Sequence, residues 1–115
     1  MQQDYLQIRV MELAPQVFVS GQLFEHDVRL LARQGCRSIV CTEPDTDAAG
    51  RPKSADLARV AEEEGVVFVH FPVDPGSVTA DDAEAFGRAC EDLKRPVHVF
   101  SRSAAHAIKL WEMSE

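Results

Sequence analysis

Short apolar runs alternate with segments of helical period along the chain, which has 115 residues. The runs that predict strands span residues 6–10, 16–20, 38–41, 66–71 and 97–100. Elsewhere apolar side chains recur at spacings of three and four, which predicts amphipathic helices over residues 25–34, 54–65 and 79–93 and after residue 105. Strands that alternate with helices are typical of a mostly parallel central sheet flanked by helices, so we predict an α/β fold.

The same pattern predicts the positions of two strands within the sheet and the N-terminal caps of two helices. Residues 66–71 lack polar alternation, which is typical of a strand covered on both faces, so we expect this strand to be central. Residues 6–10 alternate and predict an exposed edge strand. Ser54 is a candidate N-cap, and Thr79 with Asp82 resembles a capping box.

Composition narrows the class of protein. With 45% hydrophobic and 27% charged residues, the chain fits one compact domain over residues 1–115. Its apolar runs are far shorter than the ~20 residues of a membrane span, and its first residues lack a signal-peptide pattern, so we expect a cytoplasmic protein. Cys36, Cys41 and Cys90 lack the spacing of zinc or redox pairs and favour a reducing compartment.

Charge restricts the possible partners. The chain has 12 basic and 19 acidic residues, a net charge of -7, so its average surface repels nucleic acid and anionic lipid. We therefore expect neither a nucleic-acid nor a membrane partner. A phosphate ligand would need a local positive site.

Three strand ends lead into loops that are candidates for such a site. Residues 43–52, 72–78 and 101–105 each follow a predicted strand. In parallel sheets, ligands bind beyond the carboxyl ends of the strands, where the N–H groups of a following helix favour an anion. The tightest loop holds Ser101, Arg102 and Ser103 between a strand and a helix. It predicts a cradle for a phosphate or sulfate group.

Several motifs, in order along residues 7–113, resemble one known family. They are Ser20-Gly21-Gln22, Pro44-Asp45, Pro72-Val73, Thr79, and Pro96-Val97 with the loop that follows and Trp111. Together they resemble the phosphatase-like domain of the bacterial beta-lactamase hydrolase-like proteins. The resemblance implies a compact relative of the dual-specificity phosphatases, with a protein tyrosine phosphatase-like three-layer sandwich. Sulfurtransferase activity is also attributed to this family.

The loop of that family has the sequence His-Cys-Arg-Ser-Gly-Thr-Arg. Its cysteine thiolate, held at a helix N-terminus, attacks phosphorus or sulfur, and its last arginine clamps the oxygens. In this chain Phe100 and Ser101 stand at the His and Cys positions, Arg102 and Ser103 match, and Ala104, Ala105 and His106 replace Gly, Thr and Arg. The resemblance therefore implies a degenerate domain without nucleophile and clamp, a binding or regulatory module. The alternative is an active phosphoester hydrolase or sulfurtransferase with altered residues.

The candidate site residues follow from this comparison. Ser101, Asp45 and His106 are the candidate catalytic residues, and an anion is expected to bind the loop formed by Ser101, Arg102, Ser103, Ala104, Ala105 and His106. Each has a simpler interpretation: Ser101 is alternatively a ligand hydroxyl or an N-cap, Asp45 a turn former, and Arg102 a surface residue. Cys41 is either a relocated nucleophile or a buried thiol. The missing glycine also predicts a deformed cradle, because alanine resists positive φ angles.

Acidic residues surround the predicted loops. Glu43 stands where the family usually has arginine, and Asp47 and Asp74 are nearby in sequence, so the mouth repels phosphate unless Arg51, Arg102 and a protonated His106 offset them. A metal site formed by His70, His98 and His106 with Glu43 or Asp45 is a further alternative that no spacing demands. We expect no cofactor, and the expected ligand is a phosphate- or sulfate-like anion or a phosphorylated molecule. The oligomeric state stays open.

Overall fold

The computed structural model describes residues 9–45 and 50–115. In that part of the chain, helices and strands alternate after an initial pair of strands. The elements are β1 (Val10–Ala14), β2 (Val17–Ser20), α1 (Glu25–Arg33), β3 (Ser38–Cys41), α2 (Ser54–Glu63), β4 (Val67–His70), α3 (Ala80–Glu91), β5 (Val97–Phe100) and α4 (Ala104–Ser114). None of the helices in these ranges is long and apolar enough to cross a bilayer.

The strands form one mostly parallel sheet in the order β1-β2-β5-β3-β4. Only β1 runs antiparallel to its neighbour, β2, among the described strands. All four residues of β5 are buried, and this strand pairs with β2 on one side and β3 on the other. The last strand of the chain therefore lies in the middle of the sheet, and the loop that follows it emerges between the ends of β2 and β3.

Helices cover both faces of the sheet. Phe100 and Ile39 pack on the face covered by α1 and α2, whereas Val97, Val99 and Val40 pack on the face covered by α3 and α4. Side chains alternate between these faces along β5 because successive residues of a strand point to opposite sides. The predicted three-layer arrangement of an α/β fold is confirmed.

The prediction that residues 66–71 form a central strand is wrong. β4 is the outermost strand, and its first residue, Val67, is 52% exposed. Phe68 and Val69 do pack against the clusters on opposite faces, which explains the continuous apolar run. Helices above and below a strand set its apolar pattern, whereas its place across the sheet depends on backbone pairing, which leaves no such trace in the sequence.

The predicted strand over residues 6–10 falls mostly outside the described residues, which begin at 9. The observed edge strand, β1, starts at Val10 and is exposed over its first three residues. It turns back at Pro15 and Gln16, where Gln16 has a φ of 61°, and pairs with β2. The edge strand that pairs with β2 therefore lies C-terminal to most of the residues that the alternating pattern assigns to it.

Of the two predicted N-terminal capping arrangements, one is confirmed and one is wrong. Thr79 is the N-cap of α3, and its side chain and that of Asp82 form the expected capping box. Ser54 instead lies inside the first turn of α2, whose N-cap is Lys53. Both the backbone N–H and the hydroxyl of Ser54 donate to Asp45, so a carboxylate from the preceding loop supplies the capping interaction.

Replacing the confirmed cap tests its contribution. Thr79→Ala removes the oxygen that accepts from the Asp82 N–H, and we expect the free energy of unfolding to fall by about 1 kcal/mol. Urea denaturation followed by circular dichroism measures this loss. Ser77→Ala, two residues earlier in the same loop, is the matched control and should change the free energy by no more than a few tenths of a kcal/mol. Equal losses in both variants would contradict the assignment.

Candidate functional site

The carboxyl ends of the parallel strands meet at one edge of the sheet, as the sequence predicts. The Thr42 N–H donates to the Phe100 carbonyl at 3.0 Å, which joins the loop after β3 to the end of β5. The Val73 N–H donates to the Thr42 carbonyl at 3.0 Å, which joins the loop after β4 to the same place. The three predicted loops therefore converge.

A carboxylate of the chain itself contacts the loop after β5. The buried Ser101 hydroxyl donates to Glu43 Oε1 at 2.8 Å, and the Arg102 backbone N–H donates to the same oxygen at 3.1 Å. Ser103, not Ser101, is the N-cap of α4, so the interpretation of Ser101 as a cap is wrong. Two donors that converge on one anionic oxygen form the kind of arrangement that binds an external oxyanion.

The backbone of this loop is not strained. Gln16 is the only non-glycine residue with positive φ in the described ranges, so Ala104 and Ala105 adopt ordinary angles. Both begin α4, where alanine is favoured. The backbone angles of Ala104 and Ala105 therefore do not show the deformation expected from the missing glycine.

His106 lies in the first turn of α4 and is buried. Its Nε2 donates to the Val73 carbonyl at 2.9 Å, because a carbonyl oxygen only accepts. No hydrogen bond joins His106 to Ser101 within the described part of the chain. The ring ties the loop after β4 to the helix, and its role as a catalytic base stays a prediction.

Asp45 interacts with the start of α2. Its two carboxylate oxygens accept from the Ser54 N–H at 2.9 Å and from the Ser54 hydroxyl at 2.7 Å. The backbone hydrogen bond from Ser54 lowers the pKa of Asp45 below its ordinary value. The carboxyl is therefore ionised at neutral pH, whereas a general acid must hold a proton. Its catalytic role stays a prediction.

The three histidines of the proposed metal cluster contact different groups. His70 Nε2 donates to the Glu43 carbonyl at 2.8 Å, and His106 contacts the loop after β4. His98 Nε2 lies 2.7 Å from the Ser20 hydroxyl, and burial lowers the pKa of His98 to about 4. Residues 9–45 and 50–115 contain no group of three or more histidine, cysteine or acidic residues that could hold a metal ion. The metal alternative is not supported there.

Cys41 is a buried thiol at the end of β3. Burial raises its pKa to about 11, and its Sγ lies 3.7 Å from the Glu43 carbonyl. A nucleophilic cysteine needs a thiolate, which is stabilised by positive surroundings rather than by burial. These surroundings favour the interpretation of Cys41 as a buried structural residue.

The rim of the site carries charges of both signs. Arg51 lines a cavity of about 20 Å³ beside Glu43, enough for roughly one water molecule. Arg102 is exposed at the head of the loop. Asp74 accepts from the Gly76 N–H in the loop after β4, and Asp47 lies outside the described residues. The cavity that Arg51 and Glu43 line is therefore small.

Sequence reasoning missed the contact between Glu43 and the loop. It placed Glu43 at the rim as a repelling charge, whereas the carboxylate accepts two hydrogen bonds from the loop itself. The signal that could have found it is the pairing of β3 with β5, which sets the residues after Cys41 beside those after Phe100. That pairing joins distant parts of the chain.

Known proteins resemble this chain over most of its length. A beta-lactamase hydrolase-like protein of Xylella fastidiosa (strain 9a5c) is 29% identical over 108 residues, 94% of this chain and 25% of the relative. The chain thus spans a quarter of that relative. The crystal structure of a candidate phosphatase from Shewanella putrefaciens CN-32 has a TM-score of 0.80 at 26% identity, covering 93% of this chain and 68% of the other.

More distant structures share the fold alone. TpbA of P. aeruginosa, as a cysteine-to-serine variant in complex with phosphotyrosine, has a TM-score of 0.62 at 19% identity, covering 88% of this chain and 57% of that chain. Other neighbours of similarly low identity are phosphatases by name, and their shared fold confirms the predicted phosphatase-like sandwich. The family described as beta-lactamase hydrolase-like protein, phosphatase-like domain, matches residues 8–115, and this chain belongs to that family.

Proposed function

We propose that this domain is a phosphatase-like module without catalytic activity, which binds an anionic or phosphorylated ligand and acts in binding or regulation. Serine at position 101, where the family has its nucleophilic cysteine, carries the proposal. A hydroxyl at the head of the loop has no appreciable ionised fraction near neutral pH, so it attacks phosphorus only when a base activates it. In this proposal, Ser101 is a hydrogen-bond donor.

The surroundings of the other candidate groups support this proposal. Burial leaves Cys41 with a pKa of about 11, so this thiol is almost entirely protonated at neutral pH. His106 Nε2 is used by the Val73 carbonyl, and both oxygens of Asp45 are used by Ser54. No arginine of the loop holds the clamp position, where His106 stands.

The chemistry of the loop supports an oxyanion as ligand. Ser101 and Arg102 direct an O–H and an N–H at one oxygen, and the N-terminus of α4 lies beside them. Such donors suit phosphate or sulfate oxygens. The phosphotyrosine complex of TpbA was formed by a variant in which serine replaces a cysteine, which makes an aryl phosphate a suitable first probe.

Activity assays with the wild-type chain and Ser101→Ala test the proposal. We expect no turnover above buffer with an aryl phosphate, and none with thiosulfate and a thiol acceptor, because neither a thiolate nor a guanidinium clamp is available. Phosphate release measures the first reaction, and release of sulfite, which leaves when thiosulfate gives its outer sulfur to the thiol, measures the second. Turnover by the wild type that Ser101→Ala abolishes would contradict the proposal.

A serine-dependent phosphoester hydrolase is the second candidate, favoured by one observation. The Ser101 hydroxyl donates to a carboxylate at 2.8 Å, within the range of a nucleophile and its base. In this mechanism Glu43 would take the proton of Ser101 as Oγ attacks phosphorus, the ester oxygen would leave as the alcohol with that proton, and water would then hydrolyse the phosphoserine. Glu43→Ala would then abolish turnover, whereas an inactive binding module has no turnover to lose.

A further inference from the structure

The Glu43 carboxylate takes up the two donors that an external oxyanion would need. Ser101 Oγ and the Arg102 backbone N are 2.8 and 3.1 Å from Glu43 Oε1. Hydrogen bonds to an ionised acceptor are among the stronger ones in proteins. An anion that approaches this loop therefore meets a negative charge already bound there, and must displace it.

The main chain on either side of Pro44 is fixed by separate contacts. His70 Nε2 donates to the Glu43 carbonyl at 2.8 Å, and Ser54 donates to both oxygens of Asp45. His70 Nδ1 is 3.2 Å from the Ser54 hydroxyl oxygen, so the two contacts are joined. The backbone that carries Glu43 is thus anchored to β4 and α2, and its side chain is directed into the loop.

We propose that Glu43 is an internal competitor for the anion-binding loop, and that His70 is a positioning residue that holds Glu43 in place. This inference rests on the proposed function and names how that site is regulated. An external oxyanion binds only in the fraction of molecules in which Glu43 has left the loop. The apparent affinity for the oxyanion is therefore the intrinsic affinity of the open loop multiplied by that fraction.

The ligand that displaces Glu43 best is a phosphate monoester or free phosphate. A phosphate dianion offers more charge and more acceptor oxygens than the single carboxylate oxygen that now accepts both hydrogen bonds. Arg51, which lines the cavity beside Glu43, and the exposed Arg102 supply positive charge next to the vacated position. Glu43 itself, once outside the loop, no longer faces the bound anion at contact distance.

Titration with inorganic phosphate tests the competition. Isothermal calorimetry compares the wild-type chain with Glu43→Ala, Glu43→Gln and the control Glu62→Ala, which also removes one acidic group, but an exposed one at the far end of α2. Because Glu43 accepts two hydrogen bonds as an ion, we expect Glu43→Ala to bind phosphate about tenfold more tightly than the wild type. Glu43→Gln should lie between them, since its amide oxygen still accepts but carries no charge, and Glu62→Ala should match the wild type.

A second set of variants tests the positioning role of His70. His70→Ala removes the donor to the Glu43 carbonyl, and we expect phosphate to bind about threefold more tightly, while His70→Gln, which keeps a donor, restores most of the wild-type affinity. In the Glu43→Ala background, His70→Ala should have no further effect, because no side chain is left to position. A purely structural role for His70 would give the same effect in both backgrounds.

The outcomes separate this inference from the proposed function. If Glu43→Ala and Glu62→Ala bind phosphate equally, or if Glu43→Gln binds more tightly than Glu43→Ala, the competition is refuted, although the module can still be inactive. An equal effect of His70→Ala in both backgrounds refutes the positioning role. Turnover of an aryl phosphate by the wild type, by contrast, contradicts the proposed function whatever the phosphate affinities are. Thermal unfolding of each variant confirms that affinities are compared between folded proteins.

Discussion

Phe100→Ala should lower the free energy of unfolding by about 4 kcal/mol, within the range measured for large-to-small changes in cores. Phe100 is fully buried at the end of the central strand, and its ring centroid lies 6.4 Å from that of Phe68. The packed helices α1 and α2 leave little freedom for the surroundings to fill the cavity. Urea denaturation measures the loss, which is a large share of the 5–15 kcal/mol or so of a typical domain.

Met113→Ala provides the control for that measurement. Met113 is 41% exposed on α4, so its truncation should change the free energy of unfolding by no more than about 0.5 kcal/mol. If Phe100→Ala does not fold, Phe100→Leu keeps most of the volume and should lose less. A loss for Phe100→Ala no greater than that for Met113→Ala would show that the ring does not fill the core.

Acidification should destabilise the domain through His98 well before most carboxylates are protonated. Burial lowers the pKa of His98 from an ordinary value of 6.5 to about 4 in the folded protein. The unfolded chain therefore binds this proton more readily than the folded one, and stability falls as the pH drops from 6.5 towards 4. The shift corresponds to about 3 kcal/mol of unfolding free energy, fully present above pH 6.5 and lost at the lower end of the window.

His98→Gln identifies the source of this pH dependence. The variant cannot titrate, so the fall of its unfolding free energy between pH 6.5 and 4 should be much shallower than in the wild type. Asp45, whose pKa is lowered by its hydrogen bond from Ser54, loses its contribution only at lower pH and does so in both proteins. Urea midpoints at half-unit pH steps measure the two slopes. Parallel slopes would contradict a buried, neutral His98.

Local patterns predicted the elements well because their causes are local. The strands over 38–41 and 97–100 have the predicted bounds, and the capping box at Thr79 is formed by residues three apart. The position of β4 at the edge was not predictable in this way, because the apolar pattern of a strand depends on the helices above and below it. The phosphatase-like form of the three-layer sandwich was predicted from the family resemblance, not from local patterns.

The sequence predicts where the candidate site lies, but it does not predict which side chains contact each other there. The convergence of the strand ends follows from parallel pairing, and the sequence indicates it correctly. The bond between Ser101 and Glu43 joins side chains 58 positions apart, and the contact of His70 with the Glu43 carbonyl joins residues 27 positions apart. Such contacts depend on which strands are neighbours, and neither spacing nor composition encodes that order.

The hydrogen bond from His70 uses the main-chain carbonyl of Glu43 rather than its carboxylate. Any amino acid at position 43 offers the same carbonyl, so the anchor of this segment is independent of the side chain it carries. A substitution at position 43 would therefore change the charge that faces the loop after β5 while leaving the hydrogen bond from His70 in place. The sign of the charge at this loop is thus set by one side chain, independently of the backbone that holds it.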